Sequence, residues 1–294
     1  MKITVFTPAF NRAYIIENLY RSLQRQTYTD FEWIVVDDGS TDNTQELFSQ
    51  FLADENPFSI RYIRTENGGK HRAINKGVAL ATGELFFIVD SDDYLPEDAL
   101  RVIAEVESTI PEESKHLFCG VCGQKGYISG GAVGTTYEGN VCDLTILERP
   151  AHGISGDKAE VFYTHIMRRY PFPEFSGETF LTECVAWDKM AADGLKLRFF
   201  NTIVYLCEYL PDGLSAHSAE LFRRNPMGRS YYLVQSAAIG KISGLQKWNQ
   251  YYSYYRQHRK SLSMVRIAKK LSMNPLIFFL RMMGMSVFFK LYDK

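Results

Sequence analysis

Apolar and polar positions alternate along the first hundred residues with two different periods. Solid apolar runs at 2–7 (KITVFT), 32–36 (EWIVV), 60–64 and 85–89 (LFFIV) have the length and the β-branched, aromatic composition of buried strands. Between them the apolar residues fall three and four apart, and Ile15, Ile16, Leu19, Tyr20 and Leu23 predict a helix over 13–26. A second helix starts near Thr41, where Ser40, Thr41 or Asp42 can cap it, and a third covers 71–81. Pro96, with Glu97 and Asp98 at the positive end, opens a fourth. Strict strand–helix alternation predicts an α/β chain with a mostly parallel sheet and helices on both faces. Ligands of such sheets lie beyond the carboxyl ends of the strands.

After about 115 the pattern changes. Residues 117–150 read as short strands with glycine-rich turns (GGAVGTTYEG), and helices are predicted over 158–169 and 179–193. No repeat is visible, and no linker rich in Pro, Gly or Ser forces a cut. The expected division is one body over 1–240, with halves 1–115 and 116–240, and a helical C-terminal extension over 241–294.

Three polar clusters interrupt the apolar runs where a ligand is expected. These are Thr7-Pro8-Ala9-Phe10-Asn11-Arg12, Asp37-Asp38-Gly39-Ser40 and Asp90-Ser91-Asp92-Asp93. Asp90 and Asp92 repel unless a cation or a proton sits between them. Hard oxygen ligands suit Mg²⁺ or Mn²⁺, whose remaining positions phosphate oxygens and water fill. The alternative is an acidic turn in which Asp93 caps the next helix. Asp37 can accept from a base N–H or a ribose hydroxyl, or the D-D-G-S-T-D run is an Asx turn and helix cap that includes Asp38 and Ser40. Asn67-Gly68-Gly69-Lys70-His71-Arg72 opens a helix. Its glycines allow close backbone approach, and Lys70 and Arg72 either neutralise phosphate or mark a solvated helix start. No G-x-x-x-x-G-K-[ST] loop or G-x-G-x-x-G fingerprint is present, which removes support for simple ATPases and Rossmann dehydrogenases. Cys119 and Cys122 form a lone C-x-x-C, so structural zinc is not expected.

The 294 residues are 46% apolar and 23% charged, which excludes a wholly disordered chain. A net charge of −1 conceals an asymmetry. Of 33 basic and 34 acidic residues, ten basic and one acidic fall in 247–294. The acidic body is a poor nucleic-acid binder, whereas the tail is drawn to anionic surfaces. Five scattered cysteines form no disulfide framework and the first residues lack a signal-peptide pattern, which fits a reducing cytoplasm.

T-P-A-F-N-R, V-D-D-G-S-T-D, N-G-G-K-H-R-A-I-N-K-G and A-T-G-E-L-F-F-I-V-D-S-D-D-Y-L-P-E-D-A-L, in this order over residues 2–100, closely resemble the family 2 glycosyltransferases of bacterial surface-polysaccharide assembly. The resemblance implies the GT-A (nucleotide-diphospho-sugar transferase) fold. It implies a nucleotide-sugar donor, with Thr7, Pro8, Ala9 and Asp37 at the base and Asp90 on the ribose side. Asn11, Arg12, Asp38, Asn67, Lys70, Arg72 and Ser91 would complete the nucleotide-sugar pocket. Asp92, with Asp90, would hold the Mn²⁺ or Mg²⁺ that bridges the diphosphate. Where many relatives have A-R-N this chain has Ala73-Ile74-Asn75, which leaves Lys70 or Arg72 as the phosphate-facing cation.

Inverting transfer also needs a base for the acceptor hydroxyl. On a helix, Glu183 and Trp187 share a face, and a carboxylate beside an aromatic wall becomes more basic. Relatives carry an acidic pair or a T-E step here, which implies Glu183 as the base, with Glu178, opening the same helix, as runner-up. Trp187 can stack on a sugar ring. Asp157 either binds an acceptor hydroxyl or starts a helix. Residues 208–217 fall where relatives have a loop that closes over the donor, and His217 in it reads as a surface histidine rather than a metal ligand. Residues 271–289 are nearly as long as a membrane span but contain Pro275 and the charged Arg281. Lying along the inner face of the plasma membrane through 247–294 is the favoured reading, and packing on the body is the other. The expected function is metal-dependent inverting transfer from a nucleotide sugar, with a UDP-sugar as the expected donor, to a saccharide or lipid-linked saccharide. The alternatives are a sugar-phosphate nucleotidyltransferase and an inactive carbohydrate-binding relative.

Overall fold

The computed structural model describes residues 1–292 except 138, 209, 211, 212 and 214–216, and side chains as far as 288. Two compact units emerge: Met1–Pro173 with Ala186–Gly213, and Glu174–Val185 with Leu214–Lys294. Packing therefore divides the chain near 214 rather than at 240, and assigns 174–185 to the second unit.

The first unit opens with strands β1 (Ile3–Ala9), β2 (Phe31–Asp37), β3 (Ser59–Arg64) and β4 (Leu85–Ile88). They alternate with helices α1 (Glu17–Gln24), α2 (Thr44–Ala53), α3 (Lys70–Leu80) and α4 (Ala99–Ser108). Each expected element of this stretch is present, with shifted ends. Residues 13–16 form turns before α1, and α4 begins three residues after Pro96. Then come β5 (Phe118–Tyr127), β6 (Val141–Leu144), β7 (Lys158–Tyr163), α5 (Thr164–Arg169), α6 (Cys184–Ala192) and β8 (Lys196–Cys207). The helix expected over 158–169 is a strand followed by one short helix. Val161-Phe162-Tyr163 fills a slot between two strands, where Phe162 pairs with Phe86 of β4 on one side and Gly120 of β5 on the other. The helix expected over 179–193 shrinks to α6.

The eight strands form one sheet in the order β3-β2-β1-β4-β7-β5-β8-β6. The first four are parallel. β7 runs antiparallel to both neighbours, so β5 and the β8 beside it again point the same way as β1–β4. Six carboxyl ends thus reach one edge, and the mostly parallel sheet holds. Helices cover both faces. Trp33 of β2 packs against Tyr20 of α1 and Phe48 and Phe51 of α2. On the opposite face Phe6 of β1 packs under α3, where a Cβ on Gly77 would stand 2.2 Å from the Phe6 ring.

The second unit contains α7 (Ser218–Arg224), α8 (Pro226–Ala238), α9 (Gly244–His258), α10 (Met264–Lys270) and α11 (Pro275–Tyr292). Its core gathers Leu233, Tyr251, Tyr254, Ile267, Leu271, Phe278 and Met282. The helical extension is therefore real and starts earlier than expected.

Two stability predictions follow from the first unit. Alanine favours a helix over glycine by about 1 kcal/mol, but at Gly77 the Phe6 ring must move, at about 1–3 kcal/mol. Gly77→Ala should therefore lower the melting temperature. Glu32 is buried and accepts from the Thr4 hydroxyl (2.7 Å), the Thr82 N–H (2.7 Å) and Arg61 (2.7 Å). Burial alone would raise its carboxyl, but the bonds from Thr4 and Thr82 and the charge of Arg61 hold it below its usual value. Glu32→Ala should cost about 2–3 kcal/mol in urea unfolding at about pH 7. A depressed native pKa stabilises above the unfolded value, so the gap to wild type should close as pH falls through the native one.

Candidate active site

At the carboxyl edge, the end of β2 is locked to the start of α3. The Asp38 carboxylate accepts from the backbone N–H groups of Gly68 and Gly69, both at 2.7 Å, and the Asn67 amide donates to the Asp38 carbonyl at 2.9 Å. Gly39 makes the contact possible. It adopts φ +82°, and a Cβ there would lie 2.8 Å from the Asn67 nitrogen. Burial pushes the Asp38 carboxyl up, against the two N–H groups that favour its charged form. Arg72 folds back and donates to the Gly68 carbonyl.

This arrangement places Lys70, the first residue of α3, with its ammonium 2.6 Å from Asp90 Oδ1. Arg12 approaches Asp92 Oδ2 to 3.8 Å. Arg12, Lys70, Asp90, Ser91 and Asp92 therefore come together as the sequence suggested. Burial opposes ionisation of Asp90, but the charges of Lys70, Lys125 and Arg12 hold its carboxyl below the usual range. Asp92 goes the other way, raised by burial and then by the charge of Asp90. That mutual repulsion is what a bound divalent cation relieves. Among the described residues no group of three or more His, Cys, Asp or Glu side chains could hold a metal by itself. A site of one or two carboxylates fits Mg²⁺ or Mn²⁺ that takes its other ligands from a diphosphate and water.

Several assigned residues have other roles. The Thr7 side chain is fully buried and its hydroxyl accepts from the Trp33 indole N–H at 3.0 Å, so it turns away from any base. Ala9 is also buried, and its carbonyl accepts from the Asp38 N–H at 2.8 Å. Pro8 keeps a partly open surface. Asp37 has none. Its carboxylate accepts from the Ser40 N–H at 2.7 Å and from the Tyr62 hydroxyl, and so braces the turn. Asn11 joins two loops, accepting from the Thr41 N–H at 2.7 Å while its own N–H donates to Ser40 at 2.8 Å.

Asp93 does not cap α4. Its carboxylate accepts from the Tyr205 hydroxyl at 2.7 Å, and the Tyr205 hydroxyl oxygen in turn accepts from the Asp90 N–H at 2.9 Å. Burial, then the charge of Asp90, pushes Asp93 up to about 7. Lys125 of β5 lies 4.0 Å from the Tyr205 ring centre. Tyr205 and Lys125 were missed because each sits in a strand of the second half with no motif around it. Only the pairing of β8 with β5, which aligns Lys125 with Tyr205, brings both to this edge.

On the acceptor side, Asp157 is exposed just before β7. Trp187 is partly buried, stacked on Phe162 at 4.3 Å and edge-on to Phe172 at 5.7 Å, so one ring face is taken by the core. In the second unit, Glu178 does not open a helix with Glu183. It is buried, and both carboxylate oxygens accept from the first turn of α8, from Met227 N–H at 2.7 Å and Gly228 N–H at 2.8 Å. It is a helix cap supplied from a distant segment, not an acceptor ligand. Glu183 stands in the turn immediately before α6 and is partly exposed. In the expected closing loop, Tyr209, Pro211, Asp212 and Ser215 lie outside the described residues, and His217 is exposed at the start of α7.

Residues 4–111 match the family described as Glycosyl transferase family 2. Over 102 residues the chain is 37% identical to the glycosyltransferase GlyG of Streptococcus pneumoniae, covering 34% of this chain and 33% of that one. Over 103 residues it is 35% identical to the poly(ribitol-phosphate) β-N-acetylglucosaminyltransferase TarS of Staphylococcus aureus, covering 34% and 18%. The chain thus matches about a third of the length of GlyG and less of TarS. The crystal structure of S. aureus TarS 1–349 in complex with UDP-GlcNAc superposes with a TM-score of 0.57 at 19% identity, covering 97% of this chain and 92% of that one. The mannosyltransferase PcManGT of Pyrobaculum calidifontis, solved with GDP-Man and Mn²⁺, gives 0.52 at 19% identity, covering 92% and 72%. Lys70, Asp90 and Asp92 thus lie in the stretch that matches Glycosyl transferase family 2, on a fold shared with both solved glycosyltransferases.

Proposed function

We propose that the chain transfers a sugar from a nucleotide diphosphate donor to a hydroxyl of a saccharide or lipid-linked saccharide, with inversion. The observation that carries this reading is the Asp90–Asp92 pair at the end of β4, faced by Lys70 and Arg12. Both cations are at hand for an incoming diphosphate, which can exchange carboxylate partners for phosphate oxygens. A divalent ion held by Asp92, with Asp90, would neutralise charge on the departing nucleotide. Glu183 is the base that takes the acceptor proton. The UDP-GlcNAc in TarS and the GDP-Man and Mn²⁺ in PcManGT support the donor class and the metal. UDP is the expected nucleotide.

A thermal-shift screen of nucleoside diphosphates, with and without Mn²⁺, should show metal-dependent stabilisation by UDP, because a ligand bound to the native state raises the melting point. Asp92→Asn should abolish the metal-dependent part and lower kcat/KM by about 10²–10³-fold. Glu183→Gln should keep nucleotide binding intact while transfer falls by about 10²–10⁴-fold. No shift with any nucleotide would defeat the proposal, and pyrophosphate release from a nucleoside triphosphate and a sugar phosphate would favour nucleotidyl transfer.

The helical unit supports contact with a membrane surface. No single helix among the described residues is long and apolar enough to cross a bilayer, and α10 and α11 meet at a bend of 104°. α11 is apolar along most of its surface, with Arg281 the exposed charge near its middle, over the Trp248 ring. Phe278, Met282 and Met285 face the core, while Leu276 (67% exposed), Leu280 (61%), Met283 and Val287 (59%) form a stripe towards solvent. Arg266 and Lys269 are exposed on α10. An apolar stripe beside cations suits an anionic lipid interface. Wild-type protein should float with phosphatidylglycerol vesicles, and Leu276→Glu/Leu280→Glu should stay in solution. Equal flotation of both would exclude this stripe as the contact.

A further inference from the structure

The helical unit contains a group of cations that the proposed sugar transfer does not use. Arg229 of α8 and His258 at the end of α9 both contact the ring of Tyr254, and Lys270 of α10 and Arg223 of α7 lie near enough for their charges to act on His258. The Arg229 guanidinium lies 5.8 Å from the Tyr254 ring centre, and that ring is 4.5 Å from the imidazole of His258. Arg229 donates to the Gln257 amide oxygen and to Ser253 Oγ at 3.2 Å, both neutral acceptors. The Lys270 ammonium rests against the sulfur of Met227, a weak acceptor. His258 is 6% exposed, and its Nε2 is buried without a hydrogen-bond partner among the described residues.

Among the described residues no carboxylate forms an ion pair with Arg229, Lys270 or His258. Burial lowers Arg229, opposed by the Tyr254 phenol. Burial and then the positive charges of Arg229, Lys270 and Arg223 hold His258 below its usual value. Acids on adjoining segments are engaged elsewhere. Glu220 pairs with Arg223 and Arg224, and Glu178 receives the N–H groups of Met227 and Gly228. Half-buried cations gathered without a counter-charge destabilise a fold unless an anion joins them. A guanidinium fork, an ammonium and an imidazole nitrogen together match the oxygens of a phosphate.

We propose that Arg229, Lys270 and His258 form a phosphate-binding site in the helical unit, separate from the Asp90–Asp92 edge. The phosphate belongs either to an anionic lipid headgroup or to a soluble phosphate compound, and the two sources are separable by experiment.

The test uses the full chain and reads the imidazole NMR signal of His258, assigned by its loss in His258→Gln. Inorganic phosphate should shift this signal saturably, in wild type and equally in Asp92→Asn, so the result stands or falls independently of sugar transfer. Arg229→Gln and Lys270→Gln should each weaken phosphate binding about tenfold or more, with Arg229→Lys closer to wild type. In the second arm, flotation with phosphatidylglycerol vesicles that weakens in Arg229→Gln and is competed by phosphate assigns the site to a lipid headgroup. Unchanged flotation with weakened phosphate binding assigns it to a soluble phosphate. A His258 signal that phosphate does not move overturns the proposal, as does undiminished phosphate affinity in both folded Gln variants. If a Gln variant fails to fold, the wild-type His258 titration decides.

Discussion

The carboxyl edge of the sheet depends on one buried carboxylate. Asp38, at the end of β2, receives the N–H groups of Gly68 and Gly69 and so caps α3 from across the sheet. α3 has no side-chain cap of its own, and its N-cap is Gly69 at φ +94°. Without this clamp, nothing fixes where the helix begins. With it, Lys70 is the first helical residue and its ammonium meets Asp90. Asp37 and Asn11 reinforce the same junction from the neighbouring loops. Residues that look like nucleotide ligands in the sequence therefore build the frame on which a smaller group is displayed.

That smaller group is an exercise in balanced charge. Asp90, Asp92 and Asp93 fall within four consecutive positions, and their repulsion is divided unequally. Lys70 keeps Asp90 ionised, whereas Asp92 and Asp93 are raised by burial and by their neighbour. The Tyr205 hydroxyl ties the Asp90 backbone to the Asp93 side chain, so the turn is held open by β8 and not only by its own strand. Asp93 has the Tyr205 hydroxyl as a partner, and Asp92, beside Arg12, is the raised carboxylate that a cation would relieve.

Much of this was legible in the residues. The alternation of strand and helix through 108 and the strand ends follow from period and spacing, because each depends on neighbours close in sequence, and the grouping of Arg12, Lys70, Asp90 and Asp92 was expected because parallel strands bring their carboxyl ends to one edge. What failed did so where a distant segment intervened. The stretch 158–163 is a strand because β4 and β5 leave a slot with a ladder on each side. Thr7 faces Trp33, and Glu178 caps α8, a partner nearly fifty positions away. No local pattern announces such contacts.

By itself the sequence determined the parallel half of the sheet, its polar carboxyl edge and the basic, apolar character of the last fifty residues, since hydrophobic period and charge are local quantities. Only the tertiary structure decided which polar residues brace the edge and which remain open to a ligand. It also brought Tyr205 and Lys125 to the aspartates and gathered Arg229, His258 and Lys270. Burial and hydrogen-bond partnership are properties of surfaces pressed together, and those surfaces come from residues far apart along the chain.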